Sequence, residues 1–364
     1  MNSMVYMKIN LKFIFIFLIL LSLLYYFQLF IYSTNSLLLN KFLLLSLSIV
    51  IIPVFTKTPF FIWKKIYFPV YYITSIYLGY LCNSLLLCLI YRLFNLIMNI
   101  NSNIASFMTI YFPIIISIYG VINARIIRVE KEVIIKSKKY KNNNGIKICH
   151  LTDLHLGAIY KRNFVQKVIS KIKNNIKPDI VVITGDLFDS SYTPMIENIE
   201  PFDELNIPIL YITGNHEIMI GKNDVLNVLN RTKIKNIGNE LNPYTFKDIN
   251  FIGLDFETKL ETLKEIKYDK NMFNVVLNHV PISPRELLSY DVDLLLCGHT
   301  HGGQTFPFNV LTLLNAKCYV GLYEYLNRYV YVSSGLGTAL IPMRIGSKSV
   351  ISIIKIESSQ EKAS

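Results

Sequence analysis

The first 124 residues of this 364-residue chain contain no aspartate, no glutamate and no histidine. Over the whole chain, charged residues make up 17% and apolar residues 52%, which excludes a disordered chain and is too apolar for an ordinary soluble domain. Membrane segments without carboxylates or histidines lack the usual parts of a proton or ion pathway. We therefore expect the first third of the chain to lie in lipid and to act as an anchor.

The chain also lacks the charge pattern of a nucleic-acid-binding protein. Its net charge is +12, but the acid-free segment carries +7 of it and the rest of the chain only +5. The five cysteines include no CxxC pair and no spacing typical of disulfides, so they do not require an oxidising compartment. The lipid bilayer, and not nucleic acid, is the expected macromolecular partner, and the sequence leaves the oligomeric state open.

Four apolar stretches predict transmembrane helices, near residues 13–33, 36–55, 66–91 and 105–124. The second is short and contains Pro53, so it reaches the length of a span only if Lys41 is buried or Lys57 extends to the membrane surface. The first is longer than the apolar core of a signal peptide, and no small-residue cleavage motif follows it. We expect about four helices, with the second as the least secure.

The basic residues predict which way these helices point. With four spans, the N-terminal lysines, the loop with Lys57 and the cluster that begins at Arg125 all share one face. Since lysine and arginine are retained on the cytoplasmic side, the sequence predicts a multi-pass protein of the cell membrane with both termini and the polar half in the cytoplasm. With three spans the cluster after residue 124 would lie outside.

Beyond residue 124 the composition changes to that of a globular domain. A basic juxtamembrane connector is expected at 125–145, a folded domain at 146–356 and a polar tail at 357–364. Short apolar runs at 146–151, 180–184, 209–213, 273–277 and 292–297 predict buried strands, and 164–176 and 224–229 have the spacing of helices. Three further strands are expected at 319–323, 329–333 and 350–356. The pattern predicts an α/β domain.

Acidic and coordinating side chains follow five of these predicted strands. The motifs are DLH at 153–155, GDLFD at 185–189, GNHE at 214–217, NH at 278–279 and GHTHGGQ at 298–304. Ligands of open α/β sheets bind beyond the carboxyl ends of the strands, so these side chains should converge. Five of the six histidines of the chain lie in these motifs. The sixth, His150, precedes the first motif within its strand and is expected to be a packing residue.

These five motifs, in this order, resemble the calcineurin-like metallophosphoesterases. The form GHTHGGQ, with GLGT at 335–338 and PMR at 342–344, is most similar to the membrane-associated branch typified by YkuE and YaeI. The resemblance implies a four-layer α/β/β/α sandwich of two mixed sheets, here preceded by the transmembrane region. It also implies two divalent metal ions, Mn, Fe, Zn or Co, whose imidazole, carboxylate and carboxamide ligands suit such metals.

The resemblance assigns a role to each matching residue. Asp153, His155, Asp186 and His301 would hold one metal, and Asp186, Asn215, His279 and His299 the second, with Asp186 bridging. His216 would be the catalytic proton donor. Arg344 would contact the substrate, although SKS at 347–349 replaces the Pro-Glu that often follows this arginine. Asp189 and Glu217 are expected to support the ligands.

The function that follows is a membrane-anchored hydrolase with two metals, which cleaves a phosphodiester or pyrophosphate bond by attack of a hydroxide held between the metals. The membrane anchor favours a lipid-linked phosphoester substrate. Two alternatives stay open at this point: a phosphodiesterase that acts on a soluble substrate such as a cyclic nucleotide, and a membrane receptor or regulator whose metal domain only binds.

Overall fold

The computed structural model describes residues 64–98, 100–142, 144–190 and 193–359. The chain divides into two compact units, Met1–Tyr119 and Gly120–Ser364. The predicted spans near 13–33 and 36–55 lie outside the described residues.

The described part of the first unit is helical. Helix α1 is followed by the short helix α2, a π-helical turn at Phe107–Tyr111 and helix α3; the bounds are α1 Lys64–Asn95, α2 Ser102–Ser106 and α3 Phe112–Arg125. Two stretches, Tyr71–Asn95 and Asn103–Arg125, are long and apolar enough to cross a bilayer. They correspond to the two spans expected near 66–91 and 105–124.

Buried polar groups between these helices have partners within the first unit. Asn83 Nδ2 donates to Ser117 Oγ at 3.4 Å, and Ser84 Oγ donates to the carbonyl of Thr109. Such small polar side chains join helices where no water is available to satisfy them.

The second unit contains two mixed sheets. The first has the order β1-β13-β3-β4-β5-β6, with β2 also paired to β13, and only the β13–β3 pair is antiparallel. Its strands are β1 Ile127–Val129, β2 Val133–Ser137, β3 Ile146–Leu151, β4 Ile180–Thr184, β5 Ile209–Ile212, β6 Ile234–Asn236 and β13 Ser349–Ser358. The central strands β4 and β5 are almost entirely apolar because both of their faces are buried.

The second sheet has the order β11-β12-β10-β9-β8-β7, antiparallel only at its two edge pairs, β11–β12 and β7–β8. Its strands are β7 Tyr244–Phe246, β8 Ile249–Gly253, β9 Phe273–Leu277, β10 Leu294–Cys297, β11 Gly321–Tyr325 and β12 Arg328–Val332.

The two sheets pack face to face. One core cluster joins side chains of both sheets, such as Ile148 and Val182 of the first with Val275 and Leu296 of the second. The outer face of the first sheet is covered by helices, and the outer face of the second by 3₁₀ turns at Leu260–Lys264 and Pro284–Ser289. The helices of this unit are α4 Arg162–Lys171, α5 Ile196–Ile199, α6 Asn215–Ile220, α7 Lys222–Leu229 and α8 Phe308–Asn315.

The predicted central strands 146–151, 180–184 and 273–277 are confirmed with these bounds, and the other predicted strands and helices are confirmed within a few residues. Strands β6, β7 and β8 were not predicted from the sequence. The predicted connector at 125–145 contains β1 and β2, whose apolar residues pair along β13.

This pairing carries the chain away from the end of α3. Ile127 pairs with Ser349 at the start of β13, and Ser137 pairs with Ser358 at its end. At 3.3 Å per residue, the two ends of β13 are about 30 Å apart. Lys139 therefore lies at the far edge of the sheets, where it pairs with Asp293 at 3.0 Å, while Arg125 and Arg128 stay near the helix end.

Candidate metal centre

The five sequence motifs meet at one edge of the two sheets. The parallel strands β3, β4 and β5 of the first sheet and β9 and β10 of the second bring their carboxyl ends together there. Each candidate ligand directly follows one of these strands: Asp153 and His155 follow β3, Asp186 follows β4, Asn215 follows β5, His279 follows β9, and His299 and His301 follow β10.

One ligand cluster consists of Asp153, His155 and His301. The Nε2 atoms of the two histidines are 3.0 Å apart, and Asp153 Oδ1 is 3.4 Å from His301 Nε2 and 4.0 Å from His155 Nε2. Ligands about 2.1 Å from a tetrahedral metal lie about 3.4 Å from each other, so these three atoms have the spacing of a metal-binding set.

The second cluster consists of Asp186, Asn215, His279 and His299. Asn215 Oδ1 lies 3.1 Å from His279 Nε2 and 3.0 Å from His299 Nδ1, and these two nitrogens are 3.1 Å apart. Asp186 Oδ2 is 3.3 Å from His279 Nε2. Four donor atoms thus converge from four strand ends.

Asp186 connects the two clusters through a single atom. Its Oδ2 also lies 3.8 Å from His155 Nε2, a member of the first cluster. The other oxygen, Oδ1, accepts the backbone N–H of His216 at 2.9 Å, which leaves Oδ2 directed at the ligands of both clusters.

The backbone of the ligand loops is strained. Asp153, His155, Asp186, His299 and His301 all have φ between 48° and 68°. Residues with a Cβ rarely adopt this left-handed conformation, and such outliers concentrate at functional sites. The fold maintains five of them here because the positive φ turns each side chain from the strand direction toward the common centre.

Gly214 allows a close approach between the loop after β5 and the loop after β4, which carries Asp186. Its backbone runs directly against Asp186, so that an added Cβ would stand 2.6 Å from the Asp186 nitrogen and 2.9 Å from its Cγ. Real Cβ atoms do not come this close to other atoms. Only glycine lets the β5 loop support the carboxylate that both clusters share.

Burial controls the protonation of the histidines. It lowers the pKa of His155 to about 3 and that of His299 to about 4, and it holds the pKa of His301 well below its ordinary value. Burial also acts to lower the pKa of His279, but the Asp186 carboxylate outweighs it and raises that pKa to about 9. His155, His299 and His301 are thus neutral and offer lone pairs to an incoming cation. His279, which pairs with the Asp186 carboxylate, would release its proton when a cation binds.

A buried carboxylate oxygen without a partner supports a metal at this centre. Asp153 Oδ1 and His155 Nδ1 have no hydrogen-bond partner among the described residues. An unsatisfied buried carboxylate oxygen is costly, and a cation bound by Asp153 and His301 would satisfy it. His279 donates Nδ1–H to the Thr184 carbonyl at 2.8 Å, which directs its Nε2 lone pair into the second cluster.

His216 has a different position from the candidate ligands. Its ring is partly exposed, and its Nδ1 accepts the backbone N–H of Ser190 at 3.2 Å. The neutral ring then carries its proton on Nε2, which lies 3.9 Å from Asp186 Oδ2. In this tautomer Nε2 is a hydrogen-bond donor, although the ring also lies close enough to His155 and Asp186 to share a metal with them.

Residues 146–303 match the calcineurin-like phosphoesterase family. A metallophosphoesterase of Aquifex aeolicus is 30% identical to this chain over 266 residues, which cover 68% of this chain and 98% of that protein. The chain belongs to this family of metallophosphoesterases. Metallophosphoesterases of this family are hydrolases that generally use divalent metals.

Other relatives of this metallophosphoesterase include the membrane-associated branch that the sequence indicated. YkuE of Bacillus subtilis is 29% identical over 235 residues, 59% of this chain and 80% of that protein. A transmembrane protein with metallophosphoesterase domain from Danio rerio is 30% identical over 274 residues, 67% of this chain and 60% of that protein. The chain spans only 59% to 61% of the length of three curated relatives from Campylobacter jejuni and Helicobacter pylori.

Two acidic residues of the metallophosphoesterase motifs lie beside the ligands. Glu217 is fully buried, and its carboxylate accepts the backbone N–H groups of Gly214, Asp186 and Phe188 at 2.7 to 3.0 Å. It therefore holds the loops after β4 and β5 together. Asp189 Oδ1 is 4.0 Å from His216 Nδ1.

Arg344 is fully buried beneath the centre of the metallophosphoesterase domain. Its guanidinium donates to the carbonyls of Ser334, Gly335, Gly337, His301 and Lys348, with its closest contacts at 2.7 to 2.9 Å. One of its nitrogens is also 3.4 Å from His301 Nδ1. These contacts turn its N–H groups toward the backbone of the loops that carry His301 and Gly335.

Phe256 lies near the metallophosphoesterase centre but belongs to none of the five sequence motifs. Its ring lies 6.1 Å from the ring of His279 and 6.4 Å from that of His299. It follows β8, a strand that the sequence reasoning did not recognise. The apolar run at 251–254 followed by Asp255 was the available signal.

Proposed function

We propose that this chain is a membrane-anchored phosphoesterase with two metals, which cleaves a phosphodiester or pyrophosphate bond in a lipid-linked substrate. The observation that carries the proposal is Asp186 Oδ2, one carboxylate oxygen within 3.8 Å of ligand atoms from both clusters. A carboxylate that two clusters share is the arrangement that two-metal hydrolysis needs.

The side chains of the centre would have two roles, as metal ligands and as a proton donor. Asp153, His155, His301 and Asp186 would hold one cation, and Asp186 with Asn215, His279 and His299 the other. When bound, divalent cations such as Mn²⁺ or Zn²⁺ lower the pKa of water and neutralise the charge that develops on phosphate oxygens.

His216 would donate a proton to the leaving oxygen. Its Nδ1 accepts the Ser190 N–H, so Nε2–H is the donor, and Nε2 lies 3.9 Å from Asp186 Oδ2, the atom that connects the two clusters. General acid catalysis of this kind contributes roughly 10²–10⁴ in rate.

The membrane helices favour the lipid-linked substrate over a soluble one. The described part of the chain contains two helices that can cross a bilayer, and the Danio rerio relative is named a transmembrane protein. A domain fixed to the membrane meets lipid headgroups at high effective concentration, whereas a soluble diester gains nothing from the anchor. The proposal places the metallophosphoesterase domain on the cytoplasmic side of the cell membrane.

The experiment compares substrates and variants with the full-length protein in detergent. We expect Mn²⁺-dependent hydrolysis of a lipid-linked pyrophosphate or phosphodiester that exceeds hydrolysis of soluble cyclic nucleotides. Asp186→Ala and Asn215→Ala should each lower kcat/KM by at least about 10²-fold, whereas Asn271→Ala, an exposed asparagine outside the centre, should not. A drop of less than tenfold for Asp186→Ala would contradict the two-metal assignment, and equal rates on both substrate types would contradict the lipid preference.

A further inference from the structure

Helix α8 presents an apolar surface to solvent a few residues after the candidate ligand His301. None of its residues is buried, and five large apolar side chains are exposed by 43% to 74%: Phe308, Val310, Leu311, Leu313 and Leu314. The chain from 302 to 316 contains no charged residue. Contiguous exposed apolar surface of this kind marks an interaction site.

The loop that carries α8 is fastened to the end of α3. Thr305 bridges to Ile345, and the N–H of Phe306 donates to the Ile345 carbonyl at 3.0 Å. Ile345 and Met343 pack so closely on Gly120 that an added Cβ there would stand 3.0 and 3.1 Å from them.

Hydrogen bonds complete this attachment. The N–H of Arg344 donates to the Gly120 carbonyl at 3.0 Å, and Asn123 Nδ2 donates to the carbonyls of Arg344 and Ser347 at 2.8 and 3.1 Å. Gly120 and Asn123 belong to the last turns of the stretch Asn103–Arg125, which is apolar and long enough to cross a bilayer. The base of α8 is thus fixed to the last turns of a helix that is long and apolar enough to span a bilayer.

A basic cleft adjoins the same helix end. It has a volume of about 730 Å³ and is lined by Arg125, Lys167 and Lys171 together with polar side chains and Ile127. No acidic side chain is among the described residues that line it. Such a cleft complements the anionic headgroups of a membrane surface.

We propose that α8 lies in the interface of the lipid bilayer, with its apolar side chains among the acyl chains and the basic cleft on the headgroups. Apolar helix surface and neighbouring positive charge are the two features that bind helices to membrane surfaces, and here both adjoin the end of one candidate span. A second copy of the chain would cover the apolar helix but would not supply the negative charge that complements the basic cleft. The proposal depends on the membrane location of the span, not on the phosphoesterase reaction.

Lipid-dependent fluorescence quenching tests this proposal. Full-length protein with Trp63, the single tryptophan of the sequence, replaced by Phe is placed in phosphatidylcholine and phosphatidylglycerol vesicles. Leu314→Trp, at the most exposed position of α8, is the probe. The matched control is Leu326→Trp, 68% exposed in the turn before β12, at the edge of the sheets opposite the metal centre.

We expect brominated phosphatidylcholine to reduce the emission of the Leu314→Trp protein by about half and to leave that of the control unchanged. Leu311→Trp provides a second probe position if the first variant folds poorly. Replacing Lys167 and Lys171 by alanine should weaken the increase in quenching that added phosphatidylglycerol produces.

Equal quenching at the probe and control positions would overturn the proposal. Unquenched probes at positions 311 and 314, together with cross-linking between copies through a Leu314→Cys variant, would assign the face to a second chain and would also overturn it.

Discussion

Gly214→Ala should damage the metal centre without straining the backbone at the substituted position. Gly214 has φ −104° and ψ −171°, a conformation that alanine adopts freely. The added methyl group would therefore act only through its contacts. It would stand 2.6 Å from the Asp186 nitrogen and 2.9 Å from Asp186 Cγ, where ordinary contacts begin at about 3.4 Å.

The size of the effect follows from these distances. Asp186 and the β5 loop must separate by roughly 1 Å, and a misplacement of that size in a catalytic group can cost about 10² in rate. The same movement stretches the bond from the His216 N–H to Asp186 Oδ1, now 2.9 Å, and the bond from the Asp186 N–H to Glu217, also 2.9 Å. Because Asp186 faces both clusters, we expect the affinity for both metals to fall by about 10–100-fold.

The assay is hydrolysis of a chromogenic phosphodiester against Mn²⁺ concentration, with metal content measured by elemental analysis. Gly321→Ala is the control, because Gly321 has φ +110° and an added Cβ meets no described atom within 4 Å. It should destabilise the fold through backbone strain and leave metal affinity unchanged. A Gly214→Ala enzyme with activity within threefold of the unsubstituted protein and normal metal content would refute the steric argument.

Four further predictions address other parts of the molecule. His216→Ala should lower turnover by about 10²–10⁴ with metal content unchanged, whereas His279→Ala should lose one metal per chain; elemental analysis separates the two, and metal loss in the first variant would exclude the proton-donor role. Arg344→Met should lower the free energy of unfolding by at least about 3 kcal/mol, seen in thermal unfolding, since several buried carbonyls lose their donors. Burial lowers the pKa of His150 to about 3, so the unfolded chain binds the proton more readily, and stability should fall by about 1.4 kcal/mol per pH unit as the pH drops below about 6.5. His150→Gln should flatten that slope in unfolding measurements. A fluorescent reporter fused after Ser364 should be bright, and a periplasmic phosphatase fused there inactive; the reverse pattern would place the domain outside the cell.

The central strands and the ligand motifs were predictable because each leaves a local signal. The run Ile180–Thr184 is buried throughout and apolar up to its last residue, and the Gly185-Asp186 pair that follows it is typical of a functional site at a strand end. The order of five such motifs then indicated the family. Local patterns therefore sufficed for the parts of the fold that create the centre.

Other features depend on contacts between distant residues and could not be predicted this way. Strand β2 pairs with β13 although more than 200 residues separate Val133 from Ile354. The sequence around Arg344 gave no sign that its donors would meet carbonyls of two loops, the one after β10 and the one between β12 and β13. The short strand β7 and the polar Asn250 in β8 weaken the alternating or apolar patterns by which strands are recognised.

The candidate ligands come from both sheets: Asp153, Asp186 and Asn215 follow strands of the first sheet, and His279, His299 and His301 follow strands of the second. Cations held between them would cross-link the sandwich as well as support hydrolysis. Metal at a thousandfold excess over its Kd adds about 4 kcal/mol to the stability of a protein that binds it only when folded. Metal supply would then set the lifetime of this protein in the cell, because chains without metal would open at the ligand loops and become substrates for proteases.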